Sequence, residues 1–160
     1  MLPTVIFTEM PIKFETEVIG HFLHSDWKKY VLNLYPTMEN LNSKSLGKVI
    51  SGIHREKAQQ VAESRERFSK EWKKIEKDCF GLMQEIVGTE WPTNRPIITG
   101  MVSINPICPR FLDNWSFSIS HGFKTEKALV VIAHEAIHFL YFKKWAELHP
   151  KSLKENWESP

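Results

Sequence analysis

Between Phe14 and Tyr35 the apolar residues fall at Val18, Phe22, Trp27, Val31 and Leu34, three to five apart, and Pro36 follows. Positions at this spacing share one face of a helix, so the stretch predicts an amphipathic helix, broken near Ser25-Asp26. From about Leu46 toward Val87 a longer helix is expected. Phe68, Trp72, Ile75, Cys79, Met83 and Ile86 form its apolar stripe, and Gly88 closes it. Its charged faces from His54 to Lys74 mix both signs (Glu63, Arg65, Glu66, Arg67), which describes a solvated surface rather than a nucleic-acid arm. Trp91-Pro92 and Pro96 mark a boundary, and beyond it the character changes. Ile97 to Ile104 is β-rich, then Asn105-Pro106 and Cys108-Pro109 interrupt it. Trp115 to Ser120 alternates apolar and small polar residues, the pattern of a half-buried strand. Thr4 to Phe7 predicts a further short strand, stopped by Pro11. Thr125 is the expected N-cap of a last helix, which Pro150 ends near His149. Leu129 to Phe142 is apolar almost throughout, so this helix is expected to be buried on every side.

Four polar groups stand inside that apolar run: His134, Glu135, His138 and the Tyr141 hydroxyl. The first three spell H-E-x-x-H. Residues four apart lie one above the other on a helix, so His134 and His138 can turn imidazole nitrogens to one metal ion. Glu135 is rotated by about 100° from His134, within reach of a water on that metal. Zinc held by two histidines and one further ligand keeps an open position and lowers the pKa of its water to about 7. Glu135 is then placed to take the water's proton during attack on a carbonyl and to pass it to the leaving amine. Two imidazoles and a carboxylate in a buried helix are costly unless they are paired or bind a metal, which weighs against a pair of hydrogen-bonded core histidines.

At these residues the sequence resembles the zincin metallopeptidases. The flanks agree: Val131 three before the first histidine, uncharged residues between, Phe139 and Leu140 after, and no proline inside. The resemblance is plain over about a dozen residues and loose over the sixty or so from Ile97 onward. It implies a zincin-like α+β fold, with helices packed on a small β-sheet and the metal-binding helix after the last strand. It also implies a zinc-dependent metallopeptidase with a peptide or protein substrate. In zincins an edge strand beside the active-site helix holds extended substrate by backbone pairing, and Trp115 to Ser120 is in the right place in sequence for that role. The metzincin branch is excluded, because it requires glycine and histidine where this chain has Tyr141 and Lys144.

The third ligand is open. No aspartate follows Asp113, which leaves Glu147, His149, Glu155 and Glu158 downstream of His138. Glu147 would face about 180° away, and His149 would lie about 16 Å further along an unbroken helix. A second helix starting near Ser152 would carry Glu155 and Glu158 back toward the pair. The gluzincin branch takes a glutamate from such a helix, and Glu158, twenty residues after His138, matches the spacing of its thermolysin-like members. The chain stops two residues later, at Pro160, so either that last helix is short or the natural protein continues. Alternatives are a residue outside the tail, such as His121, or water and substrate alone. His121 ends the predicted strand and can approach the metal or a substrate oxyanion. Tyr141 shares the histidine face roughly and is a second candidate for substrate contact. His21 and His24 read as surface or packing residues.

Composition narrows the remainder. At 160 residues, 42% hydrophobic and 25% charged, the chain is expected to form one soluble domain, mainly helical over 1–90 and carrying the strands, motif helix and tail over 96–160. A net charge of +2 without a basic cluster argues against a nucleic-acid partner. Cys79 and Cys108 form no metal-binding or disulfide framework, and Cys108 lacks an activating neighbour for a thiol nucleophile. With no run of 18 apolar residues and no signal-peptide pattern, the expectation is a cytoplasmic protein without a membrane partner. A zincin-like binding or regulatory domain without turnover is the alternative to the enzyme, and a helical scaffold with a fortuitous motif is a third reading. The sequence does not set the substrate or the oligomeric state.

Overall fold

The computed structural model of the chain describes residues 1–149. β1 (Thr4–Glu9), β2 (Ile97–Ser103), β3 (Arg110–Phe111) and β4 (Ser116–Ser120) form one sheet in the order β1-β2-β4-β3. β1, β2 and β4 run parallel, and the two-residue β3 runs antiparallel along the outer side of β4. Parallel neighbours require a crossover. The one from β1 to β2 consists of α1 (Ile12–Leu23), α2 (Lys28–Leu34), a single 3₁₀ turn at Pro36–Met38 and α3 (Ser43–Val87). α4 (Thr125–Leu148) follows β4. The architecture is mixed α+β, with helices on a small sheet and the motif helix after the last strand.

The break between α1 and α2 falls where Ser25 interrupts the helix. Its hydroxyl donates to the Phe22 carbonyl and accepts from the Trp27 amide, giving the backbone a local alternative to helical bonds. α3 is bounded as its sequence demands. The Asn42 side chain accepts from the Ser45 amide at 2.9 Å, and Gly88 takes the left-handed conformation at φ 66°. α4 begins one residue earlier than its expected cap: Lys124 is the N-cap and Thr125 is already helical.

Side chains alternate across the strands. Val5, Phe7, Ile98, Val102, Phe117 and Ile119 join a core built with Phe68, Trp72, Phe80 and Met83 of α3 and with Ile132, Ala136, Phe139 and Leu140 of α4. A smaller cluster contains Met10, Met101 and Val18, with Phe14, Phe22 and Phe111 packed against it. Among the described residues no helix is long and apolar enough to cross a membrane.

Two expectations require correction. All five residues of β4 are buried, so it is not a half-buried strand. Nor is it the edge: β2 flanks one side and β3 the other, and the Ser118 amide donates to the Pro109 carbonyl at 2.8 Å. The edge position belongs to β3. α4 is likewise not buried all round. Ala128, Ile132, Glu135, Ala136, Phe139 and Leu140 make one buried stripe at helical spacing, while Val130, His134, Tyr141 and Trp145 are exposed.

Candidate metal centre and its cleft

His134 and His138 stand one turn apart on the outer side of α4. Their Nε2 atoms are 3.1 Å apart and their rings are near-perpendicular at 85°. Two nitrogens each about 2.1 Å from one zinc in tetrahedral geometry would be about 3.4 Å apart, so the pair fits that ion with a shift of a few tenths of an ångström. Neither imidazole bonds a carboxylate or a backbone group among the described residues, and the His134 side chain is 63% exposed. The two are therefore not core histidines satisfied by the protein. The burial cost anticipated for all three motif residues applies to Glu135 above all. Burial, followed by the Arg110 guanidinium and His134, pushes His138 down to about 4. It is neutral at pH 7, the form that has a lone pair for a metal.

Glu135 is the inward member of the motif, placed on the buried stripe by its register. Its Oε2 is buried and, among the described residues, has no hydrogen-bond partner, and its Oε1 lies 3.9 Å from His134 Nε2. Arg110 Nη1 approaches Oε2 to 3.8 Å, too long for a hydrogen bond. Burial raises the carboxyl above its ordinary range, against the opposing pull of His134 and Arg110. A carboxylate with one free, desolvated oxygen beside two convergent imidazoles is equipped to exchange a proton with a bound water.

Glu135 also lines a cleft of about 1570 Å³, bounded by α1, α2, the 106–113 segment and α4. Tyr141 is on its wall. His121 is not among the lining residues. Its backbone amide and Nδ1 both donate to the Ser103 carbonyl, and its own carbonyl accepts from Ser64, which ties it to the end of β2 and the middle of α3. Cys108 lines the cleft, but burial pushes its thiol up to about 11, so it is protonated and unactivated at neutral pH. Glu147 accepts from Thr89 and Lys143 rather than facing the histidines, and His149 stacks on Trp145 with ring centroids 4.1 Å apart. Among the described residues no group of three potential metal ligands converges. Glu155 and Glu158 lie outside the described residues.

Arg110 was not anticipated. The signal was present in the sequence, since Arg110 and Asp113 are the only charged residues between Ile104 and Trp115. What sequence could not supply was the antiparallel turn-back that brings β3 over Glu135. No family model, curated protein or solved structure matches this chain.

Proposed function

We propose that the chain is a zincin-like, zinc-dependent metallopeptidase. The observation that carries this reading is the pair of imidazoles 3.1 Å apart, bonded to no carboxylate or backbone group among the described residues, beside a buried carboxylate oxygen without a hydrogen-bond partner there. His134 and His138 would hold the metal, and Glu158 is retained as the third ligand on spacing alone. When bound, zinc supplies Lewis acidity to a peptide carbonyl and acidity to a water. Glu135 would accept a water's proton as the water oxygen attacks the carbonyl carbon. It then returns the proton to the departing amine nitrogen as the C–N bond breaks, which leaves a carboxylic acid and an amine. Desolvation suits Glu135 to this exchange, because a raised carboxyl pKa brings the donor and acceptor states closer in energy. β3, at the sheet edge and lining the same cleft, takes over the substrate-pairing role that the resemblance first suggested for Trp115 to Ser120.

The test is elemental analysis of the full chain, followed by a peptide-library digest. About one zinc per chain is expected, lost in His134→Ala and in His138→Ala. Glu135→Gln should keep the metal and lose about 10²- to 10⁴-fold in turnover. A chain that takes up no zinc even when it is supplied overturns the proposal. A zinc-loaded wild type that cleaves nothing leaves the non-catalytic binding domain as the reading.

A further inference from the structure

The cleft beside Glu135 has more built into it than a peptide-bond hydrolysis site requires. α2 and its approach present Trp27, Tyr30 and Leu34 to it, and α4 presents Tyr141 and Trp145. All five are more than two-fifths exposed. Large apolar groups exposed together along one cleft mark an interaction site rather than chance surface. Arg110 of β3 lines the same cleft, against α4. Its guanidinium lies 5.5 Å from the centroid of the Phe142 ring and makes no hydrogen bond among the described residues, its nearest charge being Glu135 at 3.8 Å. Five donors are therefore held over an aromatic face and open to the cleft.

The dimensions limit the occupant. The cleft lines α4 from Val131 to Trp145, about 21 Å at 1.5 Å per residue, which an extended chain covers in about six residues. Arg110 contacts α4 at Glu135 and Phe142, inside that span and not at either end. For a segment that fills the cleft, a carboxylate on Arg110 then comes from a side chain within the segment rather than from its C-terminus. We propose that this cleft is the recognition groove for an extended peptide that carries bulky aromatic or aliphatic side chains around one internal Asp or Glu, the side chains against α2 and α4 and the carboxylate on the Arg110 guanidinium. The inference rests on the peptidase reading in naming its substrate class, but it is tested by binding alone.

The probe is a fluorescein-labelled, C-terminally amidated hexapeptide with phenylalanine and leucine around a central glutamate. It is titrated by anisotropy against the full chain bearing Glu135→Gln, so that turnover does not interfere. Saturable binding is expected. Replacing the peptide's glutamate by glutamine should weaken it about tenfold, the magnitude of one lost charge-assisted contact. Arg110→Gln in the protein should remove the difference between the two peptides, which a merely structural role for Arg110 would leave in place. Replacing the apolar side chains by serine should abolish binding. Equal affinity for the glutamate and glutamine peptides overturns the carboxylate assignment. Tighter binding of the glutamine peptide when its C-terminus is free places the carboxylate at a terminus and overturns the internal placement. No peptide binding, with the chain instead self-associating or sedimenting with phosphatidylcholine vesicles, overturns the groove. Peptide binding without hydrolysis by the wild type defeats the enzyme reading and leaves the groove standing; hydrolysis without selectivity for this peptide does the reverse.

Discussion

Glu15 is fully buried on α1, yet it is held as an acceptor from four sides. Ser103 Oγ and His54 Nε2 contact its carboxylate, and the amides of Ile104 and Asn105 donate to it at 3.0 and 3.2 Å. These partners belong to α3, the end of β2 and the two residues after it, so a single side chain of α1 ties the crossover to the strand that leads into the cleft-forming 106–113 segment. Removing one member of such a network leaves buried donors unpaired, which costs more than the network itself contributes. Glu15→Ala should lower the unfolding free energy by about 3–5 kcal/mol in urea titration, and Glu15→Gln by distinctly less, because an amide oxygen still accepts from the two backbone amides. Equal losses in both variants would show that the negative charge, not the acceptor oxygen, holds the junction. The sequence had a faint trace of this role: Glu15 shares the helical face of Val18 and Ile19, a place where a charge stands out. Its partners, drawn from residues 39 to 90 positions away, could not be read. The motif was legible at the same scale for the opposite reason, because all its geometry lies within a single helical turn.

The close approach at Gly100 limits how the sheet elements fit. An added Cβ there would lie 2.8 Å and 2.9 Å from two Phe7 ring atoms and 3.1 Å from Phe117, in the strands on either side. Two aromatic rings thus occupy the space that a side chain at position 100 would need. Gly100→Ala should destabilise the fold by about 1–3 kcal/mol through overpacking, and Phe7→Leu in the same chain should recover part of that loss. A cost that Phe7→Leu leaves untouched would locate the strain at Phe117 instead. α3 was legible as a helix from its period and its terminal glycine, but its stripe was misplaced: Ile75 and Ile86 are exposed, while Glu76 and Phe80 are buried with Phe68, Trp72 and Met83. β3 was not legible. Two residues carry no period, and only the register against Ser116 and Phe117 makes them a strand. Burial was misjudged for α4 and β4 because composition counts apolar residues without saying which neighbours cover them. α4 keeps an open side where the histidines stand, and β4 is covered on both edges.

At the scale of the molecule, a metal that binds the folded chain but not the unfolded one adds to stability by mass action. The contribution is about 2.7 kcal/mol at a hundredfold excess over the dissociation constant. For a chain of this size that is a rise in Tm of about 5–10 °C. His138→Ala should abolish the rise while leaving the Tm of the metal-free protein within about a degree, since among the described residues the His138 ring hydrogen-bonds to His134 alone. The same measurement addresses the tail. If Glu158 completes the ligand set, Glu158→Ala reduces the zinc-dependent rise and does not change the metal-free Tm. A rise that survives Glu158→Ala intact removes that residue from the set. Two histidines on one turn of α4 would then hold the ion with water or substrate in the remaining positions, an arrangement weak enough to be stripped by a mild chelator. Comparing the rise before and after brief exposure to EDTA separates the two cases: a third protein ligand predicts slow loss of the shift over hours, and two ligands alone predict its loss within the mixing time.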